Sequence, residues 1–120
     1  MAIDVDADEA KLLAEIGFLG IGRGLPGPAQ MVFTALAALR PDQEAAPIGL
    51  ALTALAQGAP DRAAALLRAA PQTEAVLAFR VLALARLGDL ALARELRDEL
   101  AASGADTALK AIADTALDGN

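Results

Sequence analysis

The sequence contains no cysteine and no histidine among its 120 residues. The absence of thiols excludes disulfides and cysteine nucleophiles, and the absence of imidazoles excludes Ser-His-Asp triads and most zinc sites. Aromatic side chains are also scarce, with three phenylalanines and no tyrosine or tryptophan. We therefore expect a protein that is not an enzyme and that binds no cofactor or metal.

Positive charge is in short supply as well, with 10 basic against 16 acidic residues and a formal net charge of −6. Nucleic-acid binders carry a basic face, and anionic membranes attract basic segments. We therefore expect protein partners, and neither nucleic acid nor membrane insertion. The acidic beginning of the chain has no apolar signal core, so we expect no secretory signal peptide.

Long membrane-spanning runs are absent too. The longest stretches without charge, residues 24–39 and 45–60, contain proline and glycine and are shorter than the roughly 20 apolar residues that a spanning helix needs. What remains is a chain that is 56% hydrophobic, mostly through alanine and leucine, which favour helix. The sequence has no period-two run of β-branched residues, so this composition predicts an all-α fold. We expect a helical domain over residues 8–117, preceded by a flexible acidic segment at residues 1–7 and followed by a tail at residues 118–120.

A turn pattern recurs along this helical chain. Gly24 and Gly58 are 34 residues apart, and Gly58 and Gly88 are 30 apart. Such a repeat predicts stacked helical hairpins, each turning at its glycine. Each of these glycines is followed five residues later by an alanine: Ala29, Ala63 and Ala93.

Local signals place the ends of seven helices. For the third helix, either the helix begins near Pro47 or Pro47 kinks its first turn, and we favour the first. The expected N-terminal caps and first helical prolines are Asp8, Pro28, Asp42, Pro60, Thr73, Asp89 and Asp106.

The period resembles that of the tetratricopeptide repeat (TPR), a helical hairpin of 34 residues. Phe33 and Pro41 match the TPR pattern in the first unit, and small residues stand seven positions before the first two turn glycines, at Gly17 and Ala51. The third unit is less regular, with Val81 at that position. The resemblance covers about residues 9–102 and implies a TPR-like array of three helical hairpins.

The last predicted helix carries Leu109, Ile112 and Ala116 on one side, a one-sided apolar pattern that a terminal unit needs. We therefore expect the three hairpins plus a C-terminal capping helix.

A narrower resemblance lies in residues 12–22, where Leu-Leu-Ala-Glu-Ile leads to a Gly-x-Gly helix end. This segment resembles the start of the TPR-type needle-subunit chaperones of type III secretion (the YscG/PscG type). It departs from them in lacking their tryptophans and in the turn at residues 23–28. The resemblance implies a chaperone of the bacterial cytoplasm that binds the amphipathic helix of a needle subunit and prevents premature polymerisation, usually together with a small helical co-chaperone. The alternative is a TPR-like scaffold or adaptor, or a structural component of the secretion apparatus of the Hrp type.

In such stacks the first helix of each hairpin lines a concave groove, and an apolar groove suits an amphipathic helix. Each side chain on these helices could instead pack between helices. The expected groove residues are Phe18, Ile21, Ile48, Leu52, Leu55, Ala78, Leu82 and Ala85.

Residues 22–27 also match the dinucleotide-binding pattern G-x-G-x-x-G. That chemistry requires the glycines to lie between a strand and a helix. Here a predicted helix precedes them, so we interpret the segment as the first hairpin turn.

Overall fold

The computed structural model describes residues 5–118, which form seven α-helices and no β-strand. They form an all-α array of three helical hairpins followed by one further helix, with dimensions of 46 × 29 × 22 Å. The helices are α1 (Ala7–Gly22), α2 (Pro26–Leu39), α3 (Ala45–Ala56), α4 (Pro60–Arg68), α5 (Glu74–Leu87), α6 (Leu90–Ala102) and α7 (Thr107–Asp118).

The three hairpin turns have the same backbone geometry. Gly24, Gly58 and Gly88 all have positive φ, at 73°, 75° and 95°, a conformation that side chains with a Cβ disfavour. The residue after each glycine donates a backbone hydrogen bond to the carbonyl five positions before it, which caps the end of the preceding helix. These bonds are Leu25 to Gly20 (2.8 Å), Ala59 to Ala54 (2.9 Å) and Asp89 to Leu84 (3.0 Å).

The alanines five residues after the turn glycines are all buried. A small side chain here lets the second helix of each hairpin pack closely on the first. The recurrence predicted from the sequence is therefore confirmed in both its turns and its packing positions. The glycine cluster at residues 22–27 is the first hairpin turn, as predicted, because α1 ends at Gly22 and α2 begins at Pro26.

Successive helices pack on one another along the array. α1 packs with α2, α3 with α4 and α5 with α6, while α2 contacts α3 and α4 contacts α5. The first helices of the hairpins also touch, α1 with α3 and α3 with α5. This order is compatible with a TPR-like stack. Helix α7 departs from it, since it packs mainly against α5 and less against α6.

The N-terminal helix begins two residues earlier than the sequence predicted. Asp6, and not Asp8, is its N-cap, and the Asp6 carboxylate accepts a hydrogen bond from the backbone N–H of Glu9 at 2.8 Å. Val5 is buried and its carbonyl accepts a bond from Arg40 at 3.2 Å. Of the segment predicted to be flexible, residues 1–4 lie outside the described range, as do residues 119–120 of the tail.

The second helix also begins earlier than predicted. Pro26, and not Pro28, is its first residue, since the chain re-enters helix directly after the turn at Gly24. The third helix begins at Ala45 after Glu44, so Asp42 is not its cap. Pro47 is therefore in the first turn of α3, where its missing N–H leaves no intrahelical hydrogen bond unmade.

The later helix boundaries agree with the sequence. Pro60 opens α4. Thr73 caps α5 by accepting from the N–H of Val76 at 3.2 Å, and Asp89 caps α6 by accepting from that of Leu92 at 3.3 Å. Asp106, just before α7, accepts from the N–H of Ala108 at 2.7 Å.

Candidate helix-binding groove

The predicted groove residues divide into two groups in the structure. Ile48 and Ala78 are buried, at 6% and 0% exposure, so they belong to the core and cannot line a groove. The other six side chains are half-buried: Phe18 and Ile21 of α1, Leu52 and Leu55 of α3, and Leu82 and Ala85 of α5.

Ala78 is buried because α7 packs against the side of α5 that was expected to face the groove. Ala78 and Ala113 of α7 belong to one buried cluster, with Leu109 and Ile112 packed against it. The one-sided apolar pattern of α7 indicated a packing helix, but it did not indicate which surface of the array the helix covers.

Ile48 is buried for a different reason. It belongs to the middle core cluster, together with Ala51 of its own helix and Val76 and Ala83 of α5. The side chain of Ile48 is therefore buried in the contact between α3 and α5. Leu52 and Leu55 lie at the edge of the same cluster.

A cleft of about 500 Å³ lies between α5 and α7. Its α5 wall contains two of the predicted groove residues, Leu82 and Ala85, together with Arg86. The α7 wall was not predicted from the sequence, since α7 was assigned to capping alone. That wall consists of Ala111, Ile112, Thr115 and Ala116.

The cleft is apolar with a single charge at its rim. Among its lining residues, Arg86 carries the one ionisable side chain, and Thr115 supplies a hydroxyl. Arg86 is exposed. An apolar surface with one cation can bury the apolar face of a helix and pair with a carboxylate beside that face.

The α1 end of the predicted groove is coupled to the core. The rings of Phe18 and Phe33 lie 4.8 Å apart between centroids at an interplanar angle of 60°, a favourable tilted arrangement. Phe18 also packs against the middle cluster, as do Leu52 and Leu55. Changes at Phe18 therefore alter core packing as well as any groove, whereas Leu82 is the better residue for testing the groove alone.

Polar side chains contribute little to this region. Within residues 5–118, no group of three or more Asp, Glu, His or Cys side chains could hold a metal ion, and no buried side-chain polar atom lacks a partner. Thr53 is buried, but its hydroxyl donates to the Gly49 carbonyl at 2.8 Å. The helices of the described range include none that is both long and apolar enough to cross a membrane.

Comparison with known proteins adds no assignment. The sequence matches no protein-family model, and no curated protein is significantly similar to it.

Proposed function

We propose that this protein is a non-enzymatic chaperone or adaptor that binds an amphipathic helix of a partner protein. The observation that carries the proposal is the apolar cleft between α5 and α7. Leu82 and Ala85 of the predicted groove line this cleft. The half-buried apolar side chains of α1 and α3 would extend the proposed groove along the first helices of the other hairpins.

The size and chemistry of the cleft suit this role. Its volume falls within the range of about 300–1,000 Å³ that is common for binding clefts. A bound helix would insert apolar side chains spaced three and four residues apart between Leu82 and Ile112. An acidic residue next to that stripe, or the carboxyl end of the helix, would lie favourably beside Arg86.

The proposed client is the needle subunit of a bacterial type III secretion system, and the proposed location is the bacterial cytoplasm. This part of the proposal is supported by the resemblance of residues 12–22 to needle-subunit chaperones. The mechanism is occlusion, since the chaperone buries the apolar side chains through which needle subunits would otherwise polymerise. A small helical co-chaperone would complete the complex.

Co-expression with a needle subunit encoded in the same gene cluster tests the proposal. We expect a soluble complex with one copy of each protein, and with one co-chaperone where that protein is also present. The Leu82→Asp variant should lose the complex because it places a carboxylate in the apolar cleft.

The matched control is Leu87→Asp, which changes the same residue type on the same helix. Leu87 is exposed and does not line the cleft. This variant should keep the complex, and circular dichroism should show that both variants are folded. Needle subunits that polymerise equally with and without the protein would refute the chaperone function, and a complex that survives Leu82→Asp would refute the groove.

A further inference from the structure

The outer face of α1 carries a row of large apolar side chains. Leu12, Ile16 and Leu19 are 58%, 49% and 55% exposed. Their spacings of four and three residues place them on one face of the helix. This face is opposite to the buried side of α1, which carries Ala10, Ala14 and Gly17.

The row continues onto the second helix. A cleft of about 230 Å³ lies between α1 and α2 beside Ile16 and Leu19, and it is lined almost wholly by apolar atoms. We call the combined surface the α1–α2 end face. Its members are Leu12, Ile16, Leu19, Leu25, Pro28 and Val32.

This face ends the array on the side away from α3. Terminal units of helical arrays normally present a polar outer face, because no further unit covers them. At the other end of this array α7 supplies such a cover for α5 and α6. Within residues 5–118, no element packs over the exposed row on α1.

We infer that the α1–α2 end face pairs with the same face of a second copy of this chain, with the two α1 helices antiparallel about a two-fold axis. An axis next to Ile16 places Leu12 of each copy opposite Leu19 of the other. Such a contact is self-complementary, as a two-fold interface requires.

The charges beside the row select this orientation. The antiparallel register that pairs Leu12 with Leu19 also brings Asp8 of one copy opposite Arg23 of the other, once at each end of the contact. A parallel pairing would instead place Asp8 against Asp8 and Arg23 against Arg23.

The flanking charges of the face are three acidic and two basic side chains, a local balance of −1, whereas the whole chain has a net charge of −6. Repulsion between two copies is therefore weaker here than the net charge of the chain suggests. These residues are Asp8, Glu9, Lys11, Glu15 and Arg23, all exposed. This contact uses a surface separate from the groove, and its failure would leave the proposed helix binding intact.

Sedimentation equilibrium of the whole chain, from low micromolar to near-millimolar concentration, tests the inference. We expect a reversible monomer–dimer equilibrium. Ile16→Glu brings two carboxylates together near the axis, and like charges at an interface are strongly unfavourable. It should raise the dissociation constant by about tenfold or more. Met31→Glu is the control, since Met31 is 74% exposed on α2 and does not line the end face.

Charge reversal separates the proposed geometry from other modes of association. Arg23→Glu and Asp8→Arg should each weaken the dimer, and the double variant should restore it because both cross-contacts regain opposite charges. Thermal unfolding of each variant by circular dichroism verifies that the monomer is folded. A chain that stays monomeric throughout, a dimer that Ile16→Glu does not weaken, or a double variant without rescue would overturn the inference.

Discussion

The ring of Phe33 lies against the backbone of Gly17, where a Cβ would come within 2.6 Å of the ring carbons Cε2 and Cζ. The same ring also lies against Gly49, where a Cβ would come closer still to the ring carbons of Phe33. Phe33 is fully buried, so α2 inserts its largest side chain between two glycines on neighbouring first helices. This contact joins the first hairpin to the second.

Replacing Gly49 with alanine should destabilise the protein by about 1–3 kcal/mol, since overpacking a filled core costs that much. The gain in helix propensity of about 1 kcal/mol offsets only part of this. Gly17→Ala should act in the same direction with a smaller effect. Urea unfolding followed by circular dichroism measures both changes in the free energy of unfolding.

Gly20→Ala is the matched control for the Phe33 contact. Gly20 is in α1 three residues after Gly17, and a Cβ there would make an ordinary contact of 3.5 Å with Ala29. This variant should be stabilised by up to about 1 kcal/mol through helix propensity. Destabilisation of Gly20→Ala equal to that of Gly49→Ala would show that the ring contact is not the cause.

Gly88→Ala should cost roughly 1–2 kcal/mol, because φ at Gly88 is 95° and residues with a Cβ resist positive φ. Space is not the limit, since nothing lies within 4 Å of a Cβ built at this position. Gly27→Ala is the comparison, since its Cβ would also meet nothing within 4 Å and its φ is not positive. Thermal unfolding should show a lower midpoint temperature for Gly88→Ala and no such decrease for Gly27→Ala.

Thr73→Ala should destabilise the protein by about 1 kcal/mol, the usual cost of removing a helix N-cap. Besides accepting from the N–H of Val76, the Thr73 hydroxyl donates to Glu44 at the start of α3. Thr73→Ser retains both bonds and should be nearly neutral. A double-mutant cycle with Glu44→Ala then measures the coupling free energy between Thr73 and Glu44, at the starts of α5 and α3. This coupling should be stabilising but small, because both groups are exposed.

Asp6 should contribute a pH-dependent part of the stability. The hydrogen bond from the backbone N–H of Glu9 lowers the pKa of Asp6, since it favours the ionised form. The folded-state pKa therefore lies below the unfolded one. The stabilisation is fully present above the unfolded pKa and is lost as the pH falls through the folded pKa.

The Asp6→Asn variant tests this dependence, because asparagine still caps a helix but does not titrate in this range. Denaturant unfolding of both proteins from neutral to acid pH should give a stability difference that shrinks as Asp6 becomes protonated. A difference that stays constant with pH would contradict the assignment to Asp6.

The sequence alone determined the features that depend on local chemistry. The turn glycines, the buried alanines five positions later, and the caps Thr73 and Asp89 each follow from the backbone needs of a few neighbouring residues. The same local rules misplaced two helix starts. They indicated Asp8 as the first cap and Pro28 as the first residue of α2, where the structure has Asp6 and Pro26.

Only the tertiary structure decided which helix faces are covered. Helical periodicity identifies the residues that share a face, but the burial of that face depends on which neighbour packs against it. Ala78 was assigned to the groove by its spacing, yet α7 covers it. The row of Leu12, Ile16 and Leu19 has a similar spacing and stays exposed, because no helix within residues 5–118 packs against it.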